Sequence, residues 1–123
     1  GLIYSTVLHP SVFGSIYGAI KKIPKKKVSR RKIKENYNSV LKVLKKKSFN
    51  TGNSNSHIIP IIFENHKRCK KLCDFLFDRV FYVKDIRYPT VPIDKERIRL
   101  TITANMKKGI LNKFIKTIKE FKI

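Results

Sequence analysis

Apolar residues recur at helical spacing in the first part of this chain. Residues 11–22 and 28–47 carry apolar positions three and four residues apart, which predicts two helices. Pro10 suits the first turn of the first helix, where its missing N–H costs little. Pro24 is expected to break or kink the chain between the two helices. The inward stripe of the second helix is predicted to be Ile33, Tyr37, Val40, Leu41 and Leu44.

Short alternating or continuous apolar runs in the rest of the chain predict strands. Residues 58–63, 80–87 and 97–103 are such runs. Pro60 cannot donate to a central ladder, so its strand is expected at a sheet edge. Two further helices are predicted. One covers 66–78 with Cys69, Leu72, Cys73 and Leu76 inward, and the other follows an Asn105 cap with Ile110, Leu111, Phe114, Ile115, Ile118 and Phe121 inward.

This order of elements predicts an α+β fold in which a three-stranded, mostly antiparallel sheet packs with helices and follows long helices. The turn-forming run 48–56 separates residues 1–47, an extended segment at 2–8 and two helices, from residues 48–123, the α+β domain. Hydrophobic residues make up 41% of the 123 residues, which is enough for a packed core. No run of about 18 apolar residues exists, so no membrane-spanning helix is expected.

The net charge of +21 has two interpretations. A cationic surface suits a polyanion such as nucleic acid, and the basic helix 28–47 is the best candidate for that surface. Alternatively, codon bias explains the charge, because only seven of the 29 basic residues are arginine and Lys, Ile and Asn share A/T-rich codons. We favour the second interpretation, since a nucleic-acid surface is expected to use more arginine.

Cys69 and Cys73 lie four residues apart on one predicted helix face, with His66 three residues earlier. Metal binding or redox pairing would need a more usual spacing or further ligands, so we interpret both cysteines as buried small hydrophobes and predict no metal site. A chain with only two thiols suits a reducing compartment, which predicts a cytoplasmic protein.

The outward face of strand 97–103 is the most informative candidate site. Arg99 on a strand is held rigidly, and its planar guanidinium can bind a carboxylate through two parallel hydrogen bonds. Thr90 lies between two prolines in the preceding loop, so a stiff backbone presents its hydroxyl. The two residues together predict a substrate clamp. The alternative is that Arg99 is a solvated strand residue paired with Asp94 or Glu96.

Ser5 and Thr6 present hydroxyls ahead of a possible helix start, which suits a phosphate. The three histidines and eight acidic residues form no recognisable catalytic constellation. The sequence therefore predicts binding residues without a complete active site.

Three segments resemble the α-oxoamine synthases, which are pyridoxal-phosphate enzymes. They are residues 2–6 (Leu-Ile-Tyr-Ser-Thr) followed by Pro10, residues 56–60 (Ser-His-Ile-Ile-Pro), and residues 86–92 (Ile-Arg-Tyr-Pro-Thr-Val-Pro) followed by 97–104 (Arg-Ile-Arg-Leu-Thr-Ile-Thr-Ala). Within that family, the chain looks more like the 8-amino-7-oxononanoate synthases than the 5-aminolevulinate synthases, because residues 102–104 are Ile-Thr-Ala.

The resemblance implies the C-terminal small domain of a fold-type I, homodimeric C-acyltransferase. Such an enzyme joins an amino acid to an acyl thioester with loss of CO2. For the biotin-pathway member the substrates are L-alanine and a pimeloyl thioester. By the same resemblance, Arg99 holds a substrate carboxylate and Thr90 contacts the substrate. Ser5 and Thr6 reach the cofactor phosphate of the neighbouring subunit.

The resemblance also implies that the Schiff-base lysine lies before residue 1. The cofactor would then be held mainly by another part of the enzyme. The chain by itself is therefore expected to be inactive.

Overall fold

A computed structural model describes residues 9–122, except for the side chain of Lys26. The helices of this part are α1 (Pro10–Lys22), α2 (Lys27–Lys46), α3 (His66–Phe77) and α4 (Lys108–Glu120), with a 3-10 turn at Ile23–Lys26; the strands are β1 (Ile58–Ile62), β2 (Asp85–Ile86) and β3 (Arg97–Thr101). The extended segment predicted for residues 2–8 lies outside the described residues. The chain divides into two compact units, Gly1–Arg31 and Lys32–Ile123. The predicted division after residue 47 stays a prediction.

In the first unit, α1 forms where the sequence predicts it. Pro10 occupies its first turn, and the side chain of His9 accepts a hydrogen bond from the Ser11 backbone N–H. The 3-10 turn coincides with Pro24, as expected from a residue that cannot donate an N–H to a continuous helix. Within this unit no residue of α1 is buried.

In the second unit, the sheet has the order β1-β3-β2, and both pairings are antiparallel. β1 is an edge strand, as Pro60 predicts, and Pro60 lies opposite Arg99. Residues along β3 alternate in burial, with Ile98 and Leu100 buried and Arg99 and Thr101 exposed. One face of the sheet therefore packs in the core, and the other face presents Arg99.

The core of this unit joins the buried face of the sheet to α2, α3 and α4. The predicted stripe of α2 contributes Tyr37, Val40 and Leu44 as buried residues. From α3 and α4 come Leu72, Leu76, Leu111 and Ile118. The confirmed helices thus bury the apolar faces that their spacing predicts.

Helix α3 ends in a hydrogen-bonding pattern that glycine usually completes. The Phe81 N–H donates to the Leu76 carbonyl and the Val80 N–H donates to the Phe77 carbonyl, both over 2.9 Å. These are the two bonds of a Schellman motif, which requires its penultimate residue in the left-handed region. Val80 occupies that position with φ 69°.

This helix end also corrects one predicted strand. We expected a strand over 80–87, but only Asp85 and Ile86 pair with β3. The helix-terminating bonds use the N–H groups of Val80 and Phe81 and hold Val80 at φ 69°, which a ladder cannot accommodate, so pairing starts later. Strand β3 likewise ends at Thr101 rather than at residue 103.

The start of the last helix differs from the prediction as well. Asn105 lies in a turn, and α4 begins at Lys108 with Lys107 as its N-cap and no capping side-chain hydrogen bond. Ile110, predicted to face inward, is 55% exposed. The later start places Ile110 in the first turn of α4, on the solvent side of the stripe that begins at Leu111.

Candidate functional site

Arg99 occupies the middle of β3, the central strand of the sheet. Its neighbours along the strand, Ile98 and Leu100, are 0% and 7% exposed and hold the backbone in the core. Arg99 itself is exposed on the opposite face. The core therefore fixes the base of this side chain and leaves its guanidinium available to a ligand.

The pairing of Arg99 with Asp94 or Glu96 does not occur. Within residues 9–122 no ion pair joins Arg99 to an acidic side chain. Glu96 is only 7% exposed, because it continues the alternation of β3 on the buried face. Arg97 uses its Nε to donate to the Lys95 carbonyl over 3.1 Å. In the described part of the chain, the Arg99 guanidinium thus has no anionic side-chain partner.

Thr90 lies in the loop that joins β2 to β3, at the end of the sheet where β3 begins. Its backbone N–H donates to the Arg87 carbonyl over 2.9 Å, and the Tyr88–Pro89 peptide is cis. The loop is thus a hydrogen-bonded turn, and Thr90 is exposed on it. Among the described residues no hydrogen bond joins Thr90 to Arg99 directly. Ser5 and Thr6 lie outside the described residues.

A cavity of about 430 Å³ lies beside Arg99, and sequence reasoning missed it. Its walls are the segment 80–84, the second half of β3 with Ile102, and α4 with the turn before it. The sequence does not predict this cavity, because the unbroken strand expected at 80–87 would have paired along this part of β3. The lining residues are Val80, Phe81, Tyr82, Val83, Lys84, Arg99, Leu100, Thr101, Ile102, Met106, Ile110, Leu111 and Phe114.

The two cysteines are free thiols on α3, with Cys69 buried and Cys73 half-buried. The hydrogen bond with Cys73, together with burial, raises the pKa of Cys69 far above its usual range. The same hydrogen bond lowers the pKa of Cys73, because an S–H donor stabilises the thiolate, while burial opposes this shift. Among residues 9–122 no group of three potential ligands is placed to hold a metal ion.

Near these thiols, the His66 Nδ1 lies 3.8 Å from the Asp85 Oδ2. Glu96 Oε2 is buried without a hydrogen-bond partner. The exposed guanidinium of Arg99 is therefore a better candidate for ligand binding than this partly buried group of acids and thiols. None of the described helices combines the length and the apolar character that crossing a membrane requires.

The chain belongs to the aminotransferase class I and II family, whose sequence model matches residues 1–118. The more particular resemblance to 8-amino-7-oxononanoate synthases is confirmed by relatives that carry this name. The relative from Thermodesulfovibrio yellowstonii is 38% identical over 104 residues, which are 85% of this chain and 26% of that protein. The relative from Desulfosudis oleivorans is 36% identical over 85% of this chain and 27% of its own length. The 5-aminolevulinate synthase of Rhizobium meliloti is 32% identical over 84% of this chain and 26% of its own length.

Solved structures share the predicted α+β fold with its antiparallel three-stranded sheet. A serine palmitoyltransferase from S. paucimobilis superposes with a TM-score of 0.81 at 22% identity, over 95% of this chain and 30% of that one. The 8-amino-7-oxononanoate synthase from Francisella tularensis gives a TM-score of 0.75 at 21% identity, over 96% of this chain and 34% of that one. The fold is thus that of part of a fold-type I pyridoxal-phosphate enzyme. This chain spans about a quarter of the length of the curated relatives it matches.

Proposed function

We propose that this chain is the C-terminal part of a cytoplasmic, homodimeric 8-amino-7-oxononanoate synthase. Such an enzyme condenses L-alanine with a pimeloyl thioester and releases CO2. The observation that carries the proposal is the exposed Arg99, in a chain 36% to 38% identical to relatives with that name. Arg99 has no acidic partner in the part of the chain that is described, and a carboxylate substrate would supply one.

Arg99 would bind the carboxylate of the amino acid or of the product. A guanidinium presents parallel N–H donors that match both oxygens of a carboxylate, so the bond fixes orientation as well as position. The base of the side chain is part of the central strand, whose neighbouring residues Ile98 and Leu100 pair with Ile61 and Ile59 on β1. Such a rigid anchor lets binding energy orient the reacting carbon.

Thr90 would donate its hydroxyl to a substrate oxygen near that carboxylate. The turn bond from its N–H to Arg87 and the flanking prolines limit the positions that the hydroxyl can take. A hydroxyl held in this way loses little freedom when it binds. Thr90 is therefore proposed as a positioning contact beside the charge-assisted bond of Arg99.

The Arg99 guanidinium fits an amino-acid substrate of a pyridoxal-phosphate enzyme, because it is a free cation on an exposed sheet face. When bound, pyridoxal phosphate supplies an electron sink for the carbon that loses CO2. Ser5 and Thr6 would bind the phosphate of this cofactor in the neighbouring subunit. The lysine that attaches the cofactor would come from another part of the enzyme.

The test compares Arg99→Lys and Arg99→Ala in the complete enzyme. Both variants are expected to raise the KM for alanine, Arg99→Ala by about 10- to 100-fold, since a charge-assisted hydrogen bond contributes roughly 1.5–3 kcal/mol. Arg97→Ala is the matched control, because this neighbouring arginine donates to the Lys95 carbonyl and is expected to leave that KM unchanged. An unchanged KM for alanine in Arg99→Ala would contradict the proposal.

A 5-aminolevulinate synthase is the second candidate, because relatives with that name are 32% and 36% identical to this chain. The two candidates differ in the product, so mass spectrometry of the reaction mixture distinguishes them. Formation of 5-aminolevulinate and not 8-amino-7-oxononanoate would establish the second.

A nucleic-acid-binding role is not favoured by the family assignment. The apolar side of α2 is occupied in the core through Tyr37, Val40 and Leu44. The lysines of α2 then lie on its solvated face, and no ligand is needed to account for them. Tight binding to DNA or RNA that weakens steeply with salt would instead support this role.

A further inference from the structure

We propose that Cys69 and Cys73 form a two-thiol site that binds trivalent arsenic. Both are free thiols, and they lie four residues apart on α3. They are the only cysteines among the 123 residues of the chain. Cys69 belongs to the core, whereas Arg99 lies on the exposed face of the sheet, so this site is separate from the proposed substrate clamp. The inference goes beyond the proposed function and does not depend on it.

The spacing of the two thiols suits a bridging atom better than a disulfide. Side chains at positions i and i+4 of a helix have Cβ atoms about 5–6 Å apart. A disulfide needs Cβ atoms about 3.5–4.5 Å apart, so a bond between Cys69 and Cys73 would distort α3. One atom inserted between the two sulfurs lengthens the bridge and removes that need. The thiols already face each other, because a hydrogen bond joins their side chains.

The number of protein ligands limits what the bridging atom can be. Within the described range 9–122, no three side chains of His, Cys, Asp or Glu are grouped so that they could hold a metal ion. A tetrahedral ion such as Zn²⁺ takes four ligands in a closed site, and two thiolates supply only half of them. Trivalent arsenic forms three bonds, so two thiolates and one hydroxide complete its bonding. The pair therefore suits arsenic without any further side chain.

The charges around the thiols favour a bridge that carries no net charge. The carboxyl group of Asp85 acts unfavourably on a thiolate at either cysteine, and that of Glu96 acts unfavourably on a thiolate at Cys69. Glu96 is only 7% exposed, so solvent screens it poorly. Two thiolates on a monovalent cation such as Cu⁺ would add a negative charge beside these carboxyl groups. Two thiolates and a hydroxide on trivalent arsenic give a neutral bridge.

Binding exchanges As–O bonds for As–S bonds without oxidation or reduction. Cys73 attacks arsenous acid first, because it is half-buried and the hydrogen bond from Cys69 lowers its pKa. Cys69 attacks second, from the buried side of the helix. Two As–O bonds break and two As–S bonds form, and the two thiol protons leave with the two displaced hydroxides as water. The third hydroxide stays on the arsenic, which remains trivalent.

The test measures arsenite binding to the 123-residue chain by equilibrium dialysis and elemental analysis of arsenic. Glutathione in excess competes for arsenic that only one protein thiol holds. One bound arsenic per chain is expected. The matched control is Cys73→Ser/Lys71→Cys, since Lys71 is exposed on the same helix. This variant keeps two thiols but places them on opposite sides of α3, because two residues turn a helix by about 200°.

The control variant is expected to bind arsenite about tenfold more weakly than the parent, because preorganised ligands lose less freedom on binding. A second measurement needs no variant. In urea the two cysteines of the parent keep their separation in sequence but lose the helix, and we expect a similar loss of affinity. Absence of bound arsenic in the folded parent would overturn the inference. Equal affinity in the control variant, or in the unfolded parent, would also overturn it.

Discussion

Replacing Val80 with glycine is expected to stabilise the unit Lys32–Ile123. Val80 has φ 69°, a left-handed conformation in which the Cβ of an L-residue approaches the following carbonyl. A β-branched side chain is especially unsuited to this region. The conformation persists because the terminal hydrogen bonds of α3, from Val80 to Phe77 and from Phe81 to Leu76, require it.

The size of the effect follows from three contributions. Relief of the left-handed strain is worth about 1–2 kcal/mol. Glycine loses more backbone conformational freedom on folding than valine does, which costs roughly 0.5–1 kcal/mol. Val80 is 85% exposed, so little buried area is lost with its side chain. The net expectation is a free energy of unfolding higher by about 1 kcal/mol, or a Tm higher by about 4–8 °C for a domain of this size.

The assay is urea unfolding followed by far-ultraviolet circular dichroism, with the parent and variant at the same protein concentration. Lys71→Gly is the control, because Lys71 is exposed in the middle of the same helix and has no strain to relieve. That variant should lose about 1 kcal/mol through helix propensity. If Val80→Gly were as stable as the parent or less stable, the left-handed conformation of Val80 would not lower the free energy of unfolding, and the reasoning would be refuted.

Three further predictions concern the core and the thiols. Leu72→Ala should lower the free energy of unfolding by about 2–5 kcal/mol, because Leu72 is fully buried; a loss below about 1 kcal/mol in urea unfolding would contradict this packing. Cys73 should react with iodoacetamide faster than Cys69 near neutral pH, because its pKa is lowered and it is half-buried; peptide mass spectrometry locates the label. Cys69→Ala removes the S–H donor, so it should raise the pKa of Cys73 and slow that reaction, and an unchanged rate would argue against the hydrogen bond.

Local patterns predicted much of the fold, because several elements depend on residues close in sequence. The spacing of Tyr37, Val40 and Leu44 reports the buried side of α2 directly. Pro60 at a sheet edge follows from one missing donor. The β2 strand could not be predicted in its true length, since the helix end at Val80 competes with the ladder and the outcome depends on three-dimensional context.

The candidate site likewise has one part that the sequence predicts and one part that it does not. The exposure of Arg99 follows from the alternation of one strand, so the sequence predicts it. The cavity depends on the separation of two segments that are distant in sequence, and no local pattern reports that distance. The exposed Ile110 in the first turn of α4 lines this cavity, but its helical spacing in the sequence predicted that it would lie in the core.

The position of Arg99 connects the stability of this unit to its proposed binding role. Ile98 and Leu100 pack the core on either side of Arg99, so a movement of β3 relative to α3 and α4 would displace the guanidinium too. The same strand forms one wall of the cavity through Arg99, Leu100 and Thr101. Arg99 and the cavity thus share one rigid element, and their relative position is set by the core rather than by a loop.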